Sequence, residues 1–228
     1  MERILELAAI WTVPILLAVT LHEAAHGWVA WKLGDDTAKR LGRVTFNPIK
    51  HIDPFGTILL PAMMLYASSG QMMFGAAKPV PVHFGRLGSP RRDMILVALA
   101  GPVANILMAY AAALALHLAH FIPGQAATWV FLNLQSAVYI NLLLCVFNLI
   151  PLPPLDGGRV AVGLLPAPLA YQLARLERFG IIILLLVIFV LPWVGRQVGL
   201  DLNFFWWLVM APMDMLFDVI KILSFNGG

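Results

Sequence analysis

The chain has 228 residues, of which 61% are hydrophobic and only 12% are charged, whereas a soluble domain typically carries about 25% charged residues. With a mean hydropathy of +0.84, too little polar surface remains to cover a water-soluble globule. The lone cysteine, Cys145, excludes a disulfide scaffold. The net charge of +3 is not gathered into a basic run that would indicate a nucleic-acid partner. The composition therefore predicts an integral membrane protein whose partner is the lipid bilayer.

Apolar stretches long enough to cross a bilayer begin near the N-terminus and recur along the chain. Clear spans are predicted at about 4–31, 94–119, 128–150 and 179–194. A further apolar segment at 204–223 carries charges spaced along one helical face, so it crosses the membrane or lies along the interface.

Residues 54–68 are a short apolar segment with basic residues on both sides. A full crossing would put the two most basic loops in opposite compartments, against the positive-inside rule. We therefore predict a re-entrant segment that enters and leaves on one side. In that topology 13 of the 15 Lys and Arg residues face the cytoplasm.

Two short stretches at 43–46 and 79–84 alternate apolar residues with other types. They predict either a small membrane-associated β element or an interfacial loop rich in turns. The predicted fold class is an all-α polytopic membrane protein. It is a bundle of about four to six transmembrane helices with a re-entrant segment and that small β element. Residues 1–168 are predicted to form a catalytic transmembrane core, and 169–228 the C-terminal transmembrane or interfacial helices.

The first span contains the pattern H-E-x-x-H, with His22, Glu23 and His26. On a helix, histidines four residues apart project from one face toward a common metal, and the neighbouring glutamate can take a proton from water. Ionisable groups inside a span are costly unless they face the interior of the bundle. The spacing therefore predicts a metal site buried in the membrane.

A catalytic zinc site usually has three protein ligands, so a third must come from elsewhere in the chain. Asp156 is the better candidate, because it follows a long apolar helix in the stretch NLIPLPPLDGGR, whose prolines end that helix. Irregular backbone at membrane depth is tolerated where protein or water covers it. The remaining histidines are predicted to be interfacial: His51, His83, His117 and His120.

The combination of HEAAHG in one span with NLIPLPPLDGGR after a later one resembles the site-2 protease family of intramembrane zinc metalloproteases. The stretches GPVAN at 101–105 and AAKPVPV at 76–82 add to this likeness, which covers about residues 10–165. The likeness is to the minimal branch, which has no PDZ or CBS domain. It implies one zinc ion per chain held by His22, His26 and Asp156, with Glu23 as the general base.

The resemblance also implies the biological role of the chain. It would be a zinc metalloendopeptidase that cleaves single-pass membrane proteins within or near their transmembrane segment. Such substrates include membrane-anchored regulators and signal-peptide remnants, usually after a first cut by an upstream site-1-type protease. The expected location is a prokaryotic cell (inner) membrane, with the active site toward the cytoplasmic side.

Four further residues are candidates for contact with substrate. Asn105 and Asn148 are polar groups within apolar spans, and they would bind the substrate backbone, stabilise an oxyanion or hold helices together by hydrogen bonds. Val80 and Val82 lie in the alternating stretch that could hold an unwound substrate segment by β-addition. The main alternative function is a metal-binding membrane protein without hydrolase activity, either a transporter or an inactive scaffold.

Overall fold

A computed structural model of the chain describes residues 2–53 and 78–225, together with the single residues Leu59 and Met63. These residues form eight α-helices, which we number in chain order. They are α1 (Glu2–Lys32), α2 (Thr37–Arg40), α3 (Pro90–Leu116), α4 (Gln125–Asn148), α5 (Asp156–Leu164), α6 (Ala167–Arg175), α7 (Glu177–Val198) and α8 (Ala211–Phe225). Helix α7 contains a π-helical stretch at Leu186–Val190, and a second one, Trp206–Met210, precedes α8.

In the part of the chain that the structure describes, four helices are long and apolar enough to cross a membrane. They are Ala9–Lys32 of α1, Pro90–Leu116, Ala126–Asn148 of α4 and Glu177–Val198. These match the four clear spans predicted from the sequence, and the chain is a multi-pass membrane protein. The segment predicted at 204–223 is helical as well, but it is not one of these four.

The predicted small β element is wrong for the described residues, which contain no strand at 43–46 or 79–84. Pro79 and Pro81 have no N–H to give to a ladder, and the amides of Val80 and His83 go to side chains instead. Val80 N–H donates to Glu23 Oε2 at 2.7 Å, and His83 N–H donates to Asp35 Oδ2 at 2.6 Å. The stretch at 79–83 is an extended segment that α1 and its following loop hold in place. The predicted re-entrant segment at 54–68 falls outside the described residues, apart from Leu59 and Met63.

The start of α3 and the end of α4 follow directly from local chemistry. Pro90 occupies the first turn of α3, where its missing N–H costs nothing, and the preceding Ser89 N–H donates to Asp93 Oδ2 at 2.7 Å. Helix α4 ends at Asn148, and the prolines of the next six residues prevent its continuation. Helix α5 then begins directly at Asp156.

Helices α1, α3 and α4 pack against one another and form the centre of the bundle, and α5 packs against α3. The loops after α1, before α3 and after α5 lie together at one end. Gly88 N–H donates to Leu33 O at 3.1 Å, and Arg91 Nε donates to Gly163 O at 2.8 Å. This arrangement places the C-terminal part of α1, the N-terminal half of α3 and the start of α5 at the same level.

Candidate metal centre

Two imidazoles on α1 point at the same place in the bundle. His22 and His26 are one helical turn apart, and their Nε2 atoms lie 3.1 Å from each other. Their rings are nearly perpendicular, with centroids 4.7 Å apart. Both side chains are buried, so the pair faces protein rather than lipid.

Asp156 brings a carboxylate to this pair from a distant part of the sequence. Its Oδ2 lies 3.2 Å from His22 Nε2 and 3.3 Å from His26 Nε2. The chain reaches this position because residues 149–153 fold closely over Gly157 and Gly158. A Cβ on either glycine would overlap that backbone, so only glycine allows the approach.

The other nitrogen of each imidazole is bound by α3. His22 Nδ1 lies 2.5 Å from Asn105 Oδ1, and His26 Nδ1 lies 2.7 Å from Val97 O. Asn105 is fully buried, and its amide nitrogen donates to Asn141 Oδ1 at 2.8 Å and to Ala18 O at 3.4 Å. Because the amide nitrogen is occupied in this way, the oxygen faces His22.

These contacts determine which tautomer each histidine adopts. Both partners of the Nδ1 atoms are carbonyl oxygens, which only accept, so both Nδ1 atoms carry the proton. In the neutral ring each Nε2 then presents a lone pair. Two lone pairs and one carboxylate oxygen therefore converge in a buried space, and Asp156 Oδ2 has no hydrogen-bond donor among the described residues. A cation bound among these three acceptor atoms would remove the repulsion between them.

The dimensions of the group fit zinc. Ligand atoms at about 2.0–2.1 Å from a tetrahedral zinc ion are roughly 3.3 Å apart, and the three atoms here are separated by 3.1, 3.2 and 3.3 Å. Among the described residues, His22, His26 and Asp156 form the cluster of His, Cys, Asp or Glu side chains that could hold a metal ion. Histidines that bind zinc typically donate their other ring N–H to a carbonyl or carboxylate oxygen, as both histidines do here.

Glycine is required on the side of the site that α3 forms. A Cβ added to Gly101 would lie 2.5 Å from His22 Cε1 and 2.5 Å from His26 Nε2. Both rings therefore rest on the bare backbone of α3, and Pro102 follows in the same buried turn. The sequence motif GPVAN contains this glycine, but its steric role is visible only in the assembled bundle.

We expect Gly101→Ala to weaken zinc binding by on the order of 100-fold or more, because the methyl group must displace both ligand rings. Chelator competition on the purified protein measures this change. Gly85→Ala is the matched control, since a Cβ at Gly85 meets nothing within 4 Å. Equal zinc affinity in the two variants would contradict the packing of the imidazoles on α3.

Glu23 lies on α1 directly beside the ligand cluster and is partly exposed. Its Oε2 accepts the Val80 N–H at 2.7 Å, which leaves Oε1 available for another hydrogen bond. The carboxylate is thus held in one orientation by backbone that belongs to the extended segment 79–83. A positioned carboxylate next to a metal site can act as a general base.

The two asparagines predicted as substrate contacts lie in different surroundings. Asn105 is fully buried and joins α1, α3 and α4 through His22, Ala18 and Asn141, which matches the alternative of a hydrogen bond between helices. Asn148 is partly buried, and its amide donates to Leu144 O of its own helix at 2.9 Å. The predicted contact between Asn148 and a substrate would therefore use its side-chain oxygen.

The two valines predicted as substrate contacts lie in the extended segment 79–83. Val80 is buried against Gly27, and its N–H is taken by Glu23, so that amide does not pair with a substrate. Val82 is partly buried and packs against the cluster of Ala30, Leu87 and Val97.

We expect Asn105→Ala to weaken zinc binding by about 10- to 100-fold, the usual effect of losing the group that accepts a hydrogen bond from a metal-bound histidine. Without the Asn105 side chain, the protonated Nδ1 of His22 has no hydrogen-bond acceptor, and the ring is no longer held in its orientation. Asn148→Ala serves as a control for zinc binding, because its amide donates within its own helix. Zinc affinity in Asn105→Ala equal to that of the wild type would show that the α1 backbone alone orients His22.

Of the remaining histidines whose side chains are described, none belongs to the ligand group. His51 is buried, and its Nε2 lies 3.2 Å from Thr45 O. Burial lowers the pKa of His51, against the opposing effect of the hydrogen bond to Thr45. His117 Nε2 lies 2.9 Å from Ser224 O at the other end of α3.

Comparison with known proteins identifies relatives named as zinc metalloproteases. The model of Peptidase family M50 matches residues 115–191. The Bacillus subtilis (strain 168) protein named "Putative zinc metalloprotease YwhC" is 42% identical over 184 residues, which are 79% of this chain and 80% of that protein. Two mycobacterial proteins named "Putative zinc metalloprotease Rip2" are similar over 79% and 78% of the chain. The one from Mycolicibacterium smegmatis is 30% identical over 66% of its length, and the one from Mycobacterium tuberculosis (strain ATCC 25618 / H37Rv) is 33% identical over 65%.

No solved structure matches the chain. Together with these relatives, the multi-pass helical bundle with its His-His-Asp cluster identifies the chain as a membrane metalloprotease. The chain belongs to peptidase family M50, the site-2 protease family. The names of the relatives favour a hydrolase over the alternative of a transporter or an inactive scaffold.

Proposed function

We propose that the chain is an intramembrane zinc endopeptidase that cleaves membrane-anchored proteins within or near their transmembrane segment. The observation that carries this proposal is the depth of the ligand cluster. His22 lies nine residues before Trp31 on α1, so the cluster sits roughly 13 Å below that end of the helix. A peptide bond hydrolysed there belongs to a segment that has entered the bilayer.

His22, His26 and Asp156 would hold one zinc ion per chain, and their donor types are those of catalytic zinc sites. Zinc bound there would supply Lewis acidity to a water molecule and to the scissile carbonyl. Glu23 would accept a proton from the attacking water at its carboxylate and donate it to the leaving amine. The Val80 N–H keeps Glu23 in place by donating a hydrogen bond to Oε2. Oε1 is then the atom that accepts and releases the proton.

A substrate helix offers no free backbone groups, so it must unwind before its carbonyl reaches Glu23. The extended segment 79–83 passes beside Glu23, because Val80 donates to its carboxylate. An unwound substrate segment would lie along this segment, between Val82 and the carbonyl oxygen of Asn148. Substrates of this type are single-pass proteins, shortened beforehand by an upstream site-1-type protease.

The orientation of the protein follows from its charges. Residues 32–53 and 78–92, which surround the end of α1, contain with Arg159 of α5 most of the Lys and Arg residues. By the positive-inside rule this end faces the cytoplasm, which puts the active site on the cytoplasmic side of a prokaryotic cell membrane.

The proposal is tested by reconstituting the purified chain with a single-span reporter protein and mapping the cut by mass spectrometry. We expect a cut inside the reporter's apolar span, and none when Glu23→Gln replaces the wild type. A cut confined to the reporter's soluble loop would mean that the chain is a membrane-bound protease of soluble or loop peptides instead.

A further inference from the structure

The extended segment 79–83 lies where charged side chains hold it. Among the described residues, the backbone of 79–82 makes no hydrogen bond to backbone elsewhere. The segment nevertheless supplies the N–H of Val80, which donates to Glu23 Oε2 at 2.7 Å. The groups that fix the position of this segment therefore also fix the carboxylate of Glu23.

Arg43 binds the segment at its N-terminal end. Its Nη2 donates to Lys78 O at 2.5 Å and lies 3.5 Å from Pro79 O. The residue is buried, and its Nε has no hydrogen-bond partner among the described residues. Burial of a guanidinium is costly unless other groups compensate for the lost water. The carbonyl oxygens at the start of the segment provide that compensation here.

Asp35 binds the segment at its C-terminal end and is fully buried. Its Oδ2 accepts the His83 N–H at 2.6 Å, and its Oδ1 accepts the N–H and the hydroxyl of Thr37. Both carboxylate oxygens are therefore in use. Hydrogen bonds to an ionised carboxylate are among the stronger ones in proteins.

The backbone of both residues is itself fixed to the helices beside Glu23. The Asp35 N–H donates to Ala30 O of α1 at 2.9 Å, and the Arg43 N–H donates to Ala38 O of α2 at 2.9 Å. The two side chains thus hold the segment relative to α1, the helix that carries Glu23.

The neighbouring charged residues Asp36 and Arg40 are used differently. Arg40 Nε donates to Asp36 Oδ2 at 2.6 Å, and the Arg40 side chain is 73% exposed. Among the described residues, neither side chain forms a hydrogen bond with the extended segment. An exposed ion pair of this kind contributes little to stability. The chain therefore offers an aspartate and an arginine of the same loop region as matched controls.

We propose that Asp35 and Arg43 are positioning residues of the protease. They hold the two ends of the extended segment and so keep the Val80 N–H on Glu23 while the proton is transferred. This inference rests on the proposed role of Glu23 as the general base. Neither residue belongs to the ligand cluster, so their effect falls on the chemical step and not on zinc binding.

Hydrogen–deuterium exchange on the zinc-loaded full chain tests the positioning without any substrate. Arg43→Met removes the hydrogen bonds to two carbonyl oxygens but leaves the acceptors of the Val80 and His83 amides in place. We expect both amides to exchange about tenfold faster or more in this variant, because the segment opens more often when one end is released. Arg43→Lys, which keeps a charged donor, should restore part of the protection.

Arg40→Met is the matched control for exchange and should resemble the wild type. Exchange of the Val80 amide that is unchanged in Arg43→Met would overturn the proposal.

Kinetics on the cleavable reporter test the consequence for the reaction. Asparagine has one acceptor oxygen where both oxygens of Asp35 are used, so Asp35→Asn loses at least one bond. We expect Asp35→Asn and Arg43→Met each to lower kcat by about 10- to 100-fold, because a misplacement of about 1 Å can cost 10²-fold. Zinc content should stay at the wild-type level. Asp36→Asn and Arg40→Met should keep the wild-type kcat, and a normal kcat in both positioning variants would overturn the proposal.

A double variant with Glu23→Gln distinguishes the positioning of Glu23 from general damage to the fold. Residues that act as a unit are non-additive, so Asp35→Asn should lower the remaining rate less than about twofold once the general base is absent. A further loss as large as in the wild-type background would overturn the assignment to Glu23. A wild-type chain that hydrolyses no reporter would contradict the proposed function instead, and the exchange data would still decide whether Arg43 holds the Val80 amide in place.

Discussion

Asp156→Ala is expected to reduce the zinc content of the purified protein from about one ion per chain to a trace, with an affinity loss on the order of 1,000-fold. The variant leaves only the two imidazoles of His22 and His26, since the cluster of described residues offers one carboxylate. Metal analysis after detergent purification without chelator measures the content, and competition with a chelator measures the affinity.

Asp156→Asn is the companion variant, because it keeps the shape of the side chain in the closely packed start of α5 and changes its charge. We expect the same loss of zinc in both variants. Asp201→Ala, which removes an exposed carboxylate far along the chain, should leave the zinc content unchanged. Full zinc content in Asp156→Asn would show that the carboxylate charge is not needed for binding.

Thermal unfolding gives an independent readout of the same site. A ligand that binds only the folded chain stabilises it by mass action, so removal of zinc from the wild type should lower Tm. The metal-free protein also retains three converging acceptor atoms with no cation between them. We therefore expect chelation to lower Tm in the wild type and to leave Tm unchanged in Asp156→Ala.

Glu23→Gln is expected to lower the rate of peptide hydrolysis by about 10²- to 10⁴-fold, the usual contribution of a general base. Zinc content should stay at the wild-type level, because Glu23 is outside the ligand group. Glutamine preserves an oxygen that can accept the Val80 N–H, so the position of the side chain is maintained and only the proton acceptor is lost.

Measuring kcat and KM separately on a cleavable reporter distinguishes this role from substrate binding. The expected change is in kcat. Glu177→Gln, which alters an exposed glutamate at the start of α7, should behave as the wild type. A Glu23→Gln protein with normal kcat would mean that another group accepts the proton of the attacking water.

Several features of the site could be predicted from the sequence because they depend on local structure. The spacing of His22 and His26 requires only the helical repeat, and the length of the apolar spans requires only the thickness of the bilayer. The prolines after Asn148 predict the end of α4 in the same way. The sequence also pointed to Asp156, because a carboxylate in a Pro- and Gly-rich stretch at membrane depth is unusual.

The predicted β element shows where local patterns mislead. Alternation at 79–84 is real, but a strand needs a neighbour to pair with, and two of its residues are prolines. Two of the remaining N–H groups, those of Val80 and His83, donate to the carboxylates of Glu23 and Asp35. Side chains rather than a neighbouring strand therefore bind this extended segment, and the sequence contains no sign of which partners it meets.

Composition and spacing alone determined that this chain spans a membrane and carries two histidines one helical turn apart, because both are properties of contiguous residues. Only the tertiary structure decided that Asp156 reaches the two histidines, that Asn105 and the carbonyl of Val97 orient them, and that Gly101 leaves them room. These contacts join residues 70 or more positions apart. They depend on how α1, α3 and α5 pack, and in this single sequence no local pattern encodes that packing.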